Sequence, residues 1–196
     1  LVALEGEREA LKGDAERLEI AVEVKEQWHR RAALDESTSR FETDGPFSKV
    51  TEVFDEAVQK YAELPAFSNM GTTLSYAEID RMTRQLAAYL QNLPGMQKGD
   101  RVAVMMPNVL QNPIAIFAIL KAGFTVVNVN PLYTTRELRH QLKDSGAKVI
   151  FVVDNFCQTL QKAIADTDIQ QVVTTQLGDM LKFPKSAIVN LVVKYV

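Results

Sequence analysis

The 196-residue sequence contains a single cysteine, Cys157, so no disulfide can form within the chain and a reducing compartment is expected. The first thirty residues are charged throughout and lack the apolar core of a secretory signal. The longest apolar stretch, residues 114–129, is interrupted by Lys121 and Gly123 and is too short to cross a bilayer. These shortages argue against both a secreted disulfide scaffold and a membrane-spanning protein.

Glycine and histidine are also sparse. The nine glycines are isolated, so neither of the glycine-rich phosphate-binding loops, G-x-G-x-x-G and G-x-x-x-x-G-K-[ST], is present. The two histidines, His29 and His140, are far apart and have no cysteine cluster beside them, which argues against a zinc site. A G-x-S-x-G nucleophile elbow is missing as well. We therefore predict that the chain contains no catalytic residue, no cofactor-binding residue and no metal ligand.

Neither sign of charge dominates. The 22 Lys and Arg residues nearly balance the 25 Asp and Glu residues, which gives a net charge of −3. A balance of this kind provides no general attraction to a polyanion. We predict no nucleic-acid partner, and no general electrostatic attraction to an anionic membrane.

Residues 48–95 show helix and hairpin signals. Apolar residues at helical spacing follow a Ser48 N-cap, which predicts an amphipathic helix. Residues 66–69 and 72–75 flank Met70-Gly71 and predict a small hairpin. Ser75 and Glu78 form a capping box in front of a second amphipathic helix.

A regular series of apolar runs follows, starting about 23 residues apart. The runs are 102–106, 124–129, 149–153 and 172–175, and helical patterns lie between them at 108–122, 134–145 and 155–166. Connections that carry a helix are typical of parallel crossovers rather than hairpins. The run 124–129 is rich in valine, as in a strand that is covered on both faces. We predict an α/β fold, an open and mostly parallel sheet with helices on both faces.

Ligands of such sheets bind outside the carboxyl ends of the strands. The polar residues there, Asn108, Thr134 and Asn155, each stand where a helix needs an N-cap, and we interpret them as caps. Tyr133 is interpreted as a packing residue. Cys157 lies in a first helical turn, where the dipole could lower its pKa, but with no partner base in sequence reach we interpret it as a buried small residue.

The first forty residues differ from the rest of the chain. They are dense in Glu, Arg and Lys, and Leu4, Leu11 and Leu18 repeat at heptad spacing. Gly6 and Gly13 would each cost about 1 kcal/mol inside a helix. We favour a solvated helical extension over a dimerising segment. Residues 36–46 form a predicted linker, so residues 1–45 are assigned to a charged extension with its linker, and residues 46–196 to an α/β unit.

Four stretches of the chain resemble adenylate-forming enzymes. TLSYAEID at 73–80 is similar to the first core motif of that superfamily, and LKAGFTVVNVNPLYT at 120–134 is similar to the second. GDRVAVMMPN at 99–108 and PLYTTRELRHQLKDSGAKVI at 131–150 resemble its long-chain fatty acid–CoA ligase branch. The resemblance covers about residues 47–196.

The resemblance implies that the whole protein uses ATP, Mg²⁺ and coenzyme A to convert a long-chain fatty acid to acyl-CoA, AMP and pyrophosphate. The family's phosphate-binding loop, adenine- and Mg²⁺-contacting residues and mobile carboxyl-terminal lysine all lie further along than this chain reaches. The chain would therefore be an amino-terminal fragment that is inactive alone. A cytoplasmic location is implied, with peripheral contact at the inner membrane and homodimer formation left open.

Two alternatives remain at this point. The chain could be a stand-alone α/β interaction module whose charged extension pairs with a partner helix. It could also belong to a related adenylating ligase that acts on another carboxylate, since no pocket residue indicates the chain length of the acid.

Overall fold

The computed structural model describes residues 48–195. The predicted charged extension, its heptad pattern and nearly all of the predicted linker lie outside the described residues. The helices are α1 (Ser48–Tyr61), α2 (Tyr76–Gln91), α3 (Gln111–Lys121), α4 (Thr135–Ser145), α5 (Cys157–Ala163) and α6 (Lys185–Tyr195). The strands are β1 (Pro65–Asn69), β2 (Thr72–Ser75), β3 (Arg101–Met105), β4 (Thr125–Asn128), β5 (Val149–Val153) and β6 (Gln171–Thr175).

Four of the strands form a parallel sheet in the order β4-β3-β5-β6. In the register of the two central strands, Val102 lies opposite Val149 and Met105 lies opposite Val152. Each pair of sequential strands is joined through a helix, as the spacing of the apolar runs predicted. The predicted open parallel sheet is confirmed.

The predicted hairpin is confirmed too. Strands β1 and β2 pair antiparallel, and Asn69 lies opposite Thr72. Met70 and Gly71 make the turn with φ angles of +48° and +78°. Two consecutive positive φ angles are the conformation of a tight hairpin turn, and glycine adopts it without a Cβ clash.

Side chains of the central strands alternate between two apolar cores. The first core receives Val102 and Val104 from β3 and Phe151 from β5, and helices α1, α2 and α3 cover it. The second core receives Met105 from β3 and Ile150 from β5, and helices α4 and α5 cover it. Each fully buried side chain of this kind contributes about 1.5–3 kcal/mol relative to an exposed one. Helices therefore lie on both faces of the sheet, as predicted.

Strand β4 has apolar contacts on both faces but lies at an edge of the sheet. Val126 packs against the first core and Val127 against the second. The strand pairs only with β3, and none of its side chains is fully buried. The prediction of contacts on both faces is confirmed, while the extent of burial depends on the strand order.

A charged group joins α1, α2 and α3. Lys121 donates hydrogen bonds to Asp55 and, at 2.9 Å, to Asp80, and its ammonium lies 5.4 Å from the centroid of the Phe54 ring. Asp80 also accepts a hydrogen bond of 2.8 Å from Arg84. The Asp80 side chain is nearly buried, so these cations compensate a carboxylate that would otherwise be costly to desolvate.

Two of the predicted helix caps are confirmed. Ser75 and Glu78 form a complete capping box at α2, and Thr134 and Glu137 form one at α4. The hydrogen bonds from the Thr134 backbone and side chain lower the pKa of the Glu137 carboxylate. Gly146 ends α4 in the left-handed conformation with a φ of +60°.

The other two predicted caps are wrong. Helix α3 begins later, after Leu110, and has no side-chain cap. Asn108 lies in the preceding turn, where its carbonyl accepts a hydrogen bond of 2.8 Å from the Asn69 side chain. Asn155 lies inside a short 3-10 helix, Asp154–Phe156, which leads directly into α5. A 3-10 turn satisfies helix-end groups with backbone bonds, so no side-chain cap is needed there.

Replacing Thr134 by alanine (Thr134→Ala) removes a side chain that caps α4, and we expect the free energy of unfolding in urea to fall by about 1 kcal/mol. Asn155→Ala is the matched control because Asn155 is exposed and caps no helix. It should change stability by less than about 0.5 kcal/mol. Equal losses in the two variants would contradict the assignment of the caps.

Candidate functional site

The carboxyl end of the sheet contains a topological switch point. The connection from β3 passes through α3 and the first core, whereas the connection from β5 passes through α5 and the second core. Strands β3 and β5 are neighbours, so their connections leave on opposite sides of the sheet. In open α/β sheets a crevice forms at this place, and ligands bind there.

A polar pocket of about 550 Å³ opens beside this end of the sheet. It lies between the carboxyl ends of β5 and β6, the start of α5 and one face of α6. Its lining is mostly carboxamide, with one carboxylate and two apolar residues: Asp154, Asn155, Gln158, Gln176, Leu177, Asn190 and Val193. Carboxamides both donate and accept hydrogen bonds, so the wall can bind uncharged polar groups.

A hydrogen-bond network supports the wall of the pocket from below. The buried Gln111 side chain, at the start of α3, donates to the Thr175 hydroxyl at 3.2 Å and to the Gln176 carbonyl at 2.9 Å. Asp179 accepts from the Thr175 hydroxyl at 3.1 Å and from the Gln176 N–H at 2.8 Å. Gln111 therefore joins α3 to the end of β6, although β5 lies between β6 and the strand that precedes α3.

The same network holds α6. Asn190 accepts a hydrogen bond of 2.7 Å from the Gly178 N–H and donates one of 3.2 Å to Asp179. A Cβ atom at Gly178 would lie 2.7 Å from the Ser186 carbonyl oxygen, so only glycine allows the loop to approach the helix this closely. The loop after β6 and the inner face of α6 are thus fixed by polar contacts.

The predicted packing roles of three residues agree with the structure. Tyr133 is half-buried and packs against the second core, and His140 is exposed. Cys157 is half-buried and also packs against the second core. Burial, with a smaller contribution from the nearby Asp154 carboxylate, raises the pKa of its thiol to about 11. This shift is opposite to the one a helix dipole would produce, so the thiol is protonated at neutral pH.

The residues described between 48 and 195 offer scaffold rather than reactive chemistry. No group of three or more His, Cys, Asp or Glu side chains in that range could hold a metal ion. None of the helices described there is both long enough and apolar enough to cross a bilayer. What this part of the chain supplies is a rigid sheet end with a polar wall.

Sequence reasoning missed Gln111, Gly178 and Asn190. Gln111 and Asn190 are isolated polar residues within apolar helical stretches, QNPIAIFAILK and KSAIVNLVVKY. A carboxamide at such a position has to find a hydrogen-bond partner when it is buried. That signal could have drawn attention to both residues, but their partners lie far away in the sequence.

Comparison with known proteins identifies the family. The profile of the AMP-binding enzymes matches residues 54–193. This chain belongs to the AMP-binding enzyme family. Over 150 residues it is 51% identical to the long-chain-fatty-acid–CoA ligase of Salmonella typhimurium, a match covering 76% of this chain and 27% of that protein. The ligase of the same name from Bacillus subtilis is 36% identical over 149 residues, which is 76% of this chain and 26% of the relative.

One match extends beyond the predicted start of the resemblance. The long-chain-fatty-acid–CoA ligase of Escherichia coli O6:H1 is 47% identical over 173 residues, 88% of this chain and 30% of that protein. Residues 46–196 number only 151, so this match reaches at least 22 residues into the charged extension. Part of the extension thus has a counterpart in an AMP-binding enzyme.

Solved structures agree with the fold. A long-chain-fatty-acid-CoA ligase from Archaeoglobus fulgidus superimposes with a TM-score of 0.59 at 25% identity, covering 67% of this chain and 29% of that one. A benzoate CoA ligase from Burkholderia xenovorans superimposes with a TM-score of 0.60 at 21% identity, covering 64% and 25%. The chain spans between a quarter and a third of the length of these proteins.

The raised pKa of Cys157 predicts slow alkylation. We expect the rate with iodoacetamide to keep rising with pH above 9 and to reach its half-maximum near pH 11, because only the thiolate reacts. Cys157 is the only cysteine of the chain, so every modified site can be assigned by mass spectrometry. A half-maximum at or below the ordinary thiol value, about 8.5, would contradict the burial of this group.

Gln111→Ala should lower the free energy of unfolding by about 1–3 kcal/mol, because it leaves the buried Thr175 hydroxyl and the Gln176 carbonyl with fewer partners. Gln158→Ala is the matched control, since Gln158 lines the same pocket but is exposed. Urea unfolding of both variants measures the difference. Similar stabilities for the two variants would mean that the network does not stabilise this edge.

Proposed function

We propose that this chain is the amino-terminal part of a long-chain fatty acid–CoA ligase. The observation that carries the proposal is the 51% identity over 150 residues to the Salmonella typhimurium protein of that name. The same name recurs at 36% identity in Bacillus subtilis. The fold alone would not support a substrate, because one fold serves many chemistries.

The proposed reaction of the whole protein has two steps. A carboxylate oxygen of the fatty acid attacks the α-phosphorus of ATP, and pyrophosphate leaves with the electrons of the broken P–O bond. The sulfur of coenzyme A then attacks the acyl carbon of the acyl-adenylate, and AMP leaves. ATP, coenzyme A and a long-chain fatty acid are the proposed substrates, and a cytoplasmic location belongs to the same proposal.

Within this reaction we propose a supporting role for residues 48–195. They do not fit a Mg²⁺ ion, because no carboxylate cluster among the described residues could hold one. The most acidic part of the pocket wall, Asp154, stands among carboxamides. We therefore assign the Mg²⁺-binding and phosphate-binding groups to the remainder of the whole protein, and propose that this part braces the sheet on which they are mounted.

A chimeric enzyme tests the proposal. The matched 150-residue segment of the Salmonella typhimurium ligase is replaced by the corresponding residues of this chain. We expect the chimera to form palmitoyl-CoA, because a segment that only braces the sheet can be exchanged between relatives. Thioester formation is followed by the loss of free coenzyme A thiol, with the parent ligase as positive control.

Two further measurements complete the test. The 196-residue chain alone should catalyse no ATP–pyrophosphate exchange, and measurable exchange would contradict the assignment of the reactive groups to the remainder. A folded chimera that forms a thioester with benzoate but not with palmitate would contradict the proposed substrate class. A folded chimera that is inactive with every carboxylate would contradict the proposal as a whole.

A further inference from the structure

Helix α6 turns its apolar side chains toward solvent. Ile188, Leu191 and Val192 are 56%, 60% and 53% exposed, and Phe183 just before the helix is 86% exposed. Residues at positions i, i+3 and i+4 share one face of a helix, so the three helical residues form a single stripe. A stripe of this kind normally faces a core.

The opposite face of the same helix is attached to the protein by polar contacts. Asn190 lies about 200° around the helix from Ile188 and bonds to Gly178 and Asp179. Val193, about 140° from Ile188, lines the polar pocket together with Asn190. The orientation is therefore the reverse of an ordinary surface helix, and the polar contacts fix it.

The apolar stripe lies in a locally basic stretch. Residues 180–196 contain Lys182, Lys185 and Lys194 and no acidic residue. Lys185 also donates a hydrogen bond of 3.0 Å to the carbonyl of Met70, which places the hairpin turn, with Met70 itself 49% exposed, beside the start of α6. The nearest carboxylate in the sequence, Asp179, is already occupied by three hydrogen bonds within the protein.

We propose that this α6 surface, made of Met70, Phe183, Ile188, Leu191 and Val192 with Lys182 and Lys185 beside it, lies in the headgroup region of an anionic lipid bilayer. Apolar residues with flanking lysines are the composition of helices that lie in the plane of a membrane interface. Lysine is depleted in protein–protein interfaces, which disfavours a protein partner on this surface.

Geometry and charge both fit contact without insertion. The 11 residues of α6 span roughly 16 Å, about half the hydrocarbon thickness of a bilayer. The net charge of −3 gives the chain no general attraction to anionic lipid, so the attraction has to come from this local cluster of lysines. The proposal does not depend on the proposed enzymatic function, because vesicle binding is measured without turnover.

Vesicle flotation with the 196-residue chain tests the proposal. Vesicles of phosphatidylcholine mixed with phosphatidylglycerol should carry the protein, and Leu191→Glu combined with Val192→Glu should lower the bound fraction roughly tenfold or more. Val53→Glu is the matched control, because Val53 is 68% exposed on α1 and should leave binding unchanged. Circular dichroism checks that each variant keeps its helices, and Ile188→Ser with Leu191→Ser provides a milder second variant.

The lysine contribution is tested separately. Lys182→Gln should weaken binding and reduce its dependence on salt, because each lysine near an anionic surface adds a screened attraction. Binding that is equal on pure phosphatidylcholine vesicles and unchanged by this substitution would overturn the choice of anionic lipid. A protein that does not float with either vesicle would overturn the proposal.

Other occupants of the α6 surface give different results. A dimer in sedimentation equilibrium without lipid that dissociates in the Leu191→Glu, Val192→Glu variant would assign the surface to a second copy. Vesicle binding by the chain that disappears in the chimeric ligase would mean that the remainder of the whole protein covers it. Either result would overturn the proposal, while activity of the chimera would still decide the proposed function independently.

Discussion

Burial of β3 and β5 on both faces is the constraint on which the rest of the structure depends. Every residue of β5 is buried, and four of the five residues of β3 are. Strands of this kind need apolar cover above and below, so helices α1 to α3 lie on one face and α4 and α5 on the other. Because their connections leave on opposite sides, the sheet has its switch point between these two strands, and the polar pocket opens beside it.

Polar contacts have a different task from the cores. The Asp80–Lys121 pair joins two helices beside the first core, and the network around Gln111 joins α3 to β6. Neither contact buries much apolar surface, so their effect is to fix directions rather than to drive folding. The Asn190 contacts extend the same network to α6, and they orient that helix with its apolar stripe toward solvent.

Membership of the AMP-binding enzymes gives these features a context. The relatives are more than three times as long as the matched segment, so the sheet described here is one part of a larger structure in those proteins. A part that braces a sheet needs buried strands and fixed edges, and both are present. Its reactive groups can then be supplied by other parts of the polypeptide, which agrees with the absence of a glycine-rich phosphate loop from this sequence.

The sequence alone determined what is encoded locally: the hairpin at Met70-Gly71, the capping boxes at Ser75 and Thr134, and the βαβ rhythm. Turn geometry, capping and apolar periodicity involve residues only a few positions apart, so they can be read directly. Tertiary structure alone decided the strand order, the exposure of β4, the start of α3 beyond Asn108, and the partners of Gln111 and Asn190. Gln111 meets Thr175 across 64 positions of the chain, and a contact over that distance exists only after the whole sheet has formed.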